Sequence, residues 1–225
     1  MENCIEFNYF VFKSTFKMKS KDYLDDIGEI KHLMNKSSRF MSLSGLSGIL
    51  AGIYALIGAT LVYNIIYKDN PLTKDSYQTL VLDETSMLNI FAIAFAVVSI
   101  SIITAIIFSW KKAKLYNEKL WDIASRRLMI NFMIPLATGG FFIIALIEKE
   151  IYVFVAPLTL VFYGLALVNA SKYTLGYIRY FGVTMILIGL SSVWFLGYGL
   201  FFWALGFGLC HIIYGALVHL KYERK

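Results

Sequence analysis

The chain has 225 residues, of which 58% are hydrophobic and 16% are charged, and its mean hydropathy is +0.65. Soluble globular domains carry about a quarter charged residues, so this composition excludes a water-soluble fold. The net charge of +6 is divided among separate segments and does not form one basic patch with interleaved aromatic residues, which argues against nucleic-acid binding.

Long segments without Asp, Glu, Lys or Arg dominate the sequence. They cover residues 40–67, 85–110, 128–147, 151–171 and 180–220. A membrane-crossing helix needs about 20 apolar residues, and the last segment, with 41 residues, is long enough for two. We expect Gly197-Tyr198-Gly199 to break it. Barrel strands would alternate apolar and polar residues, and these segments do not. The sequence therefore predicts an all-α polytopic membrane helix bundle with six transmembrane helices.

The first 40 residues are predicted to form a cytoplasmic segment without a cleavable leader. Apolar residues at helical spacing, with Ser20 as an N-cap, predict a short amphipathic helix over residues 20–36. This helix could lie on the membrane surface or dock on the bundle. A second methionine, Met18, offers a start of translation that the sequence leaves open beside Met1.

The transmembrane domain is predicted to cover residues 41–220, followed by a cytoplasmic tail at 221–225. The predicted spans are 41–67, 87–109, 128–147, 151–170, 174–196 and 200–220. Lys and Arg near the span ends divide 18 to 3 between the two sides. Because basic residues favour the cytoplasmic side, both termini are expected in the cytoplasm and the protein in the bacterial cytoplasmic (inner) membrane.

Polar side chains within the predicted spans are the candidate functional positions. They are Asn64, Asn89, Asn131, Asn169, Arg179 and His211. The four asparagines form two pairs by depth, which favours hydrogen bonds between neighbouring helices, with the lining of a small-molecule cavity as the alternative. Arg179 is interpreted as an interfacial residue that reaches toward the headgroups, with anion or headgroup contact as the alternative. His211 is expected to bond across a helix interface; a catalytic role or a haem-iron ligand is the alternative.

Small residues predict close helix contacts in spans 1 and 6. They are Ser44, Gly48 and Gly52 in span 1, and Ala204, Gly208 and Gly215 in span 6. Small residues at such spacing let helix backbones approach each other in a membrane. Pro135 and Pro157 are expected to kink spans 3 and 4, and a kinked pair could open a cavity or act as a hinge.

Catalytic motifs are not found. The sequence holds no nucleophile elbow, zinc-protease, Walker or dinucleotide-binding pattern, and no Asp, Glu or Lys lies within a predicted span. We therefore expect no enzyme activity, no metal site and no cofactor. The absence of carboxylates at membrane depth also counts against ion-coupled transport.

Three segments resemble a family of uncharacterised bacterial membrane proteins with six spans. They are SRFMSLSGLSG at 38–48 with its continuation to 59, SKYTLG at 171–176, and GYGLFFWA at 197–204 with the tail to 224. Genes of this family often lie beside a winged-helix transcriptional regulator. The resemblance implies a helical membrane protein from about Met18 onward and hints at regulated expression. It implies no catalytic residues.

The sequence leaves several functions open. The favoured hypothesis is a non-enzymatic structural or regulatory membrane bundle that meets a cytoplasmic protein through the amphipathic helix and the basic loop between spans 2 and 3. The alternative is a small-molecule transporter or channel with a cavity between kinked spans 3 and 4. Membrane lipid is an expected partner, and a second copy of the chain in a homo-oligomer is a further candidate.

Overall fold

Six helices in the computed structural model are long and apolar enough to cross a membrane. They are Gly45–Tyr67 (span 1), Glu84–Leu115 (span 2), Ile123–Glu148 (span 3), Tyr152–Tyr173 (span 4), Tyr177–Trp194 (span 5) and Gly199–Lys221 (span 6). The structure describes residues 44–67, 84–115, 121–174 and 176–222, and no strand occurs in these ranges. The predicted polytopic helix bundle is therefore confirmed, and the protein is a multi-pass membrane protein. The predicted amphipathic helix at 20–36 lies outside the described residues.

Span 2 is longer than predicted, since the helix runs for 32 residues from Glu84 to Leu115. At about 1.5 Å per residue such a helix is about 48 Å long, whereas the hydrocarbon layer is about 30 Å thick. Lysine is a good helix former, so the helix continues through Lys112 and Lys114 after the apolar segment has ended. Charged residues here limit the depth of insertion but do not end the helix.

Span 3 has well-defined ends. Asp122 caps its start in a capping box. The Ser125 N–H donates to the Asp122 carboxylate at 2.7 Å, and the Asp122 N–H donates to the Ser125 hydroxyl oxygen. At the other end the Ile151 N–H donates to the Leu146 carbonyl at 2.9 Å, as in a Schellman motif. Glu150 occupies the left-handed position of this turn with φ 60°. These caps place the start of span 4 immediately after span 3.

Spans 4 and 6 are not uniform α-helices. Span 4 has an α-helix, Val155–Ala170, between two 3₁₀ turns, Tyr152–Phe154 and Ser171–Tyr173. Span 6 has an α-helix, Gly199–Trp203, a π-helix, Ala204–Cys210, and a second α-helix, His211–Tyr222. Span 5 ends at Trp194 and span 6 begins at Gly199, so the long apolar segment folds back at the predicted break, with Gly197 at φ 106°.

Spans 4, 5 and 6 form the centre of the bundle. Spans 4 and 5 pack along each other, and span 6 contacts both. Buried side chains of spans 4 and 5 make the core, namely Leu160, Leu167, Ile178, Phe181 and Met185. Span 1 packs between spans 6 and 2, and span 3 packs on span 4. Spans 2 and 3 are consecutive in the chain, yet each packs mainly against a single neighbour.

Candidate functional site: a tyrosine–histidine pair at mid-span

A hydrogen bond between two polar side chains crosses the centre of the bundle. His211 lies near the middle of span 6 and Tyr163 near the middle of span 4. Tyr163 Oη lies 2.9 Å from His211 Nε2, and the two rings stack with centroids 5.4 Å apart. His211 is buried, with 8% of its surface exposed. Ionisable side chains at membrane depth mark candidate functional sites.

His211 directly follows the π-helix of span 6, and its side chain bonds the backbone of that segment. A π-helix pairs each N–H with the carbonyl five residues earlier, and such turns recur at functional sites. Here the His211 side chain reaches the carbonyl of Gly206, with Nδ1 3.2 Å from the oxygen. A carbonyl oxygen only accepts, so Nδ1 carries the proton and Nε2 accepts the bond from Tyr163. Both nitrogens of a neutral imidazole are then hydrogen-bonded.

Aromatic rings surround the pair. Phe181 from span 5 and His211 meet edge to face with centroids 4.8 Å apart, and the Phe207 ring lies tilted against Tyr163 with centroids 5.0 Å apart. Phe132 from span 3 contacts Tyr163 edge to face at 6.0 Å. The pair therefore joins spans 4 and 6 inside an apolar cluster that also includes spans 3 and 5. Its polar atoms bond each other and the backbone, so the arrangement serves to orient helices.

Asn131 of span 3 and Asn169 of span 4, one of the two asparagine pairs predicted from the sequence, come together in the half of these spans away from the connecting turn. Asn169 Nδ2 donates to the main-chain oxygen of Asn131 at 2.8 Å. That oxygen would normally accept from residue 135, but Pro135 has no N–H. The Asn169 amide therefore bonds a carbonyl that the proline leaves without its helical partner. Asn131 Nδ2 donates to the carbonyl of Arg127 at 2.8 Å within span 3.

The remaining candidate residues lie on the surface of the bundle. Asn64 near the end of span 1 and Asn89 near the start of span 2 are both exposed. Arg179 is exposed in the first turn of span 5, and its main-chain N–H donates to the carbonyl of Gly176 at 3.2 Å. Tyr180 beside it is 73% exposed. The structure does not bring these residues to the tyrosine–histidine pair.

The small residues of spans 1 and 6 lie against each other. A Cβ atom on Gly52 would stand 2.6 Å from the carbonyl oxygen of Gly208, and one on Gly215 would stand 2.6 Å from that of Gly45. A Cβ on Gly48 would stand 3.3 Å from the Gly215 Cα. At such distances a side chain would force the backbones apart. Ser44, just before span 1, is buried as well. Ala204 instead lines a groove between the same two spans.

Sequence reasoning did not find every residue that matters in the centre. Tyr163 was not singled out, and a π-helix has no signature in apolar spacing. In α-helical spacing His211 shares a face with Gly208 and Gly215, but its ring contacts spans 4 and 5 while the glycines contact span 1. The glycine contact between spans 4 and 5, at Gly164 and Gly182, was also missed. The sequence did offer one signal for the pair. A tyrosine in the middle of a span needs a hydrogen-bond partner for its hydroxyl.

Pro157 was expected to kink span 4, but it lies at the start of the α-helix of that span and not in its interior. It occupies the first turn of the α-helix Val155–Ala170, where N–H groups have no intrahelical partner in any case. A proline there gives no physical reason for a bend within span 4. Spans 3 and 4 are in close contact, since a Cβ on Gly139 would meet the Phe162 ring at 2.4 Å. A groove in the described part of the chain lies between spans 1 and 6, away from spans 3 and 4.

Comparison of the chain with models of protein families, with curated proteins and with solved structures finds no match. Function must therefore be argued from the residues and contacts of the bundle. The resemblance to a bacterial six-span family stays a prediction from the sequence.

Proposed function

We propose that the protein is a non-enzymatic bundle of the bacterial cytoplasmic membrane, with both termini in the cytoplasm, that serves a structural or regulatory role through a cytoplasmic protein partner. The observation that carries the proposal is that two partly buried polar side chains of span 4 bond other helices. Asn169 bonds the backbone of span 3, and Tyr163 bonds His211 of span 6. Groups used in this way hold helices together.

The predicted cytoplasmic end of the bundle supports a protein partner. Eight of the nine basic residues in the described ranges lie at this end of the spans, whereas Lys149 lies at the other. Exposed apolar side chains accompany them, including Leu115 at 78%, Trp121 at 66% and Ile123 at 72%. Span 2 is longer than the hydrocarbon layer, so its last turns would extend into the cytoplasm. A basic surface with apolar side chains suits a soluble, acidic protein partner.

Photo-crosslinking in cells tests the partner. A photoreactive residue at position 115 should capture one cytoplasmic protein, and replacement of Lys111, Lys112 and Lys114 by Glu should abolish the capture. The matched control, Lys149→Glu at the opposite end, should leave it unchanged. Capture that survives the triple replacement, or crosslinks to lipid alone, would remove the partner from the proposal.

A flux assay separates this function from the transporter alternative. In proteoliposomes the protein should pass small polar solutes no faster than empty vesicles do, and Asn131→Ala and Asn169→Ala should change nothing. Solute flux that depends on either asparagine would show that these residues line a pathway. The non-transport proposal would then be wrong.

A further inference from the structure

A groove lies between spans 1 and 6. It is formed by the half of span 1 that ends at Tyr67 and the half of span 6 that begins at Gly199. Its volume is about 260 Å³. Its walls are Leu56, Ala59, Thr60 and Tyr63 from span 1 with Leu200, Phe201 and Ala204 from span 6. We propose that this groove binds one acyl chain of a membrane phospholipid from the predicted outer leaflet.

The depth of the groove matches one leaflet. Leu56 is at the midpoint of span 1, and Tyr63 is about one turn from its end. Half of the hydrocarbon layer is about 15 Å thick, and the seven residues between these positions rise about 10 Å. A lipid tail of one leaflet runs along the same direction through the same depth. The groove therefore suits an acyl chain in position and direction.

Span 1 contacts span 6 at the mid-membrane end of the groove and the turn before span 6 at the other end. On the mid-membrane side, a Cβ on Gly208 would stand 2.4 Å from the Leu56 side chain, so the helices touch there. On the other side Tyr67 Oη lies 3.5 Å from the carbonyl oxygen of Gly197, and Tyr67 is buried. The opening thus lies between helices that are held together, and its lining side chains Leu56, Tyr63 and Phe201 are partly exposed.

The chemistry of the walls favours a hydrocarbon chain. Five of the seven lining residues carry no polar atom in their side chains. The Thr60 hydroxyl donates to the Leu56 carbonyl at 2.9 Å, which uses its proton within span 1. Tyr63 stands at the headgroup end, with its ring 6.0 Å from that of Phe201. Tyrosine at this depth places an apolar ring beside the tail and a hydroxyl near the interface.

A helix from a second copy of the chain fits less well. A helix with its side chains is about 10 Å wide and would need a face along the whole of spans 1 and 6. The glycines at 45, 48 and 52 close that face in the other half of the membrane. The groove is therefore too short and too narrow for a helix.

Photoaffinity labelling in nanodiscs tests the assignment. The probe is a phosphatidylglycerol with a diazirine in the middle of one acyl chain, and labelled residues are mapped by mass spectrometry. We expect labelling concentrated on residues 56–63 and 200–204. Thr60→Trp fills the groove from an exposed position and should reduce this labelling about tenfold, which corresponds to about 1.4 kcal/mol of binding free energy. Ala96→Trp, on the exposed face of span 2, is the matched control and should leave it unchanged.

Three results would overturn the proposal. The first is labelling of the groove no stronger than that of exposed residues on span 2. The second is labelling that Thr60→Trp leaves intact while circular dichroism and thermal unfolding show a folded protein. The third is a crosslink between two copies through the groove residues. Ala204→Leu, from the opposite wall, provides a second filling variant if Thr60→Trp does not fold.

Discussion

Spans 2 and 5 show how differently two helices of one bundle meet their surroundings. None of the most apolar stretch of span 2 is buried, whereas a third of the corresponding stretch of span 5 is. Span 2 nevertheless has the highest mean hydropathy of the six spans and span 5 the lowest. In a membrane the lipid-facing surface must be apolar, while buried positions can hold small and polar residues that pack and bond. High hydropathy therefore identifies contact with lipid, and lower hydropathy identifies the interior.

The largest predicted effect contrasts the core with this lipid-facing helix. Leu160 of span 4 is completely buried against spans 5 and 6, so Leu160→Ala should lower the free energy of unfolding by about 2–5 kcal/mol through lost contacts and a cavity. Phe95 on span 2 is 76% exposed, and Phe95→Ala should change the stability by no more than about 0.5 kcal/mol. Unfolding titrations in mixed micelles measure both. Equal losses would mean that span 2 is covered by protein.

Adding a single methyl group at the glycine contact between spans 4 and 5 should lower the stability of the bundle. A Cβ on Gly164 would stand 2.6 Å from the Gly182 carbonyl oxygen, so Gly164→Ala should cost about 1–3 kcal/mol by overpacking. No atom of the described residues lies within 4 Å of such an atom on Gly140 in span 3, and Gly140→Ala should be neutral or stabilising. The same titrations compare the pair. A destabilising Gly140→Ala would contradict the packing described.

The tyrosine–histidine bond should contribute a measurable coupling energy. Tyr163→Phe keeps the ring and removes the hydroxyl, and His211→Phe removes the other partner. A double-mutant cycle should give a coupling of about 0.6 kcal/mol, the average for hydrogen bonds between membrane helices, and no more than about 1.7 kcal/mol. Additive effects, with no coupling, would show that the bond does not stabilise the bundle.

The smallest predicted effect concerns the carbonyl that Pro135 leaves without a helical partner. Asn169→Ala should cost about 0.6 kcal/mol, because the Asn131 oxygen then lacks its donor. In a Pro135→Ala background residue 135 supplies an N–H, so the same substitution should cost less. An unchanged cost in that background would mean that Asn169 acts in some other way.

Spacing and composition predicted the architecture of the spans. Apolar segments between charged residues determine how many helices cross the membrane, and Gly197-Tyr198-Gly199 gave the position of the reversal. Glycines at positions 48, 52, 208 and 215 indicated close backbone contact, since only a missing side chain permits it. Which span each set of glycines contacts was not predictable, because spacing on one helix does not say which neighbouring helix it meets.

The centre of the bundle was harder to foresee for a physical reason. The bond of His211 to Gly206 depends on a π-helix, and the apolar residues at 204–210 are compatible with either helix type. Pro135 has no N–H, so the Asn131 carbonyl is known from the sequence to lack its helical donor. That Asn169 supplies the donor could be deduced only after knowing that spans 3 and 4 are antiparallel neighbours in this register. Local sequence specified the donors and acceptors, and tertiary packing decided which ones meet.

Water access to the middle of span 6 tests the central claim most directly. Cys210 lies beside His211, and a Cys4→Ser variant leaves it as the single thiol of the chain. Lys149→Cys, in the exposed turn between spans 3 and 4, serves as the reactive control. If buried polar groups hold a dry bundle together, membrane-impermeant charged thiol reagents should modify the control from its own side of the membrane and should leave Cys210 unmodified from either side. Rapid modification of Cys210 would reveal a wet cavity at mid-membrane and contradict this account.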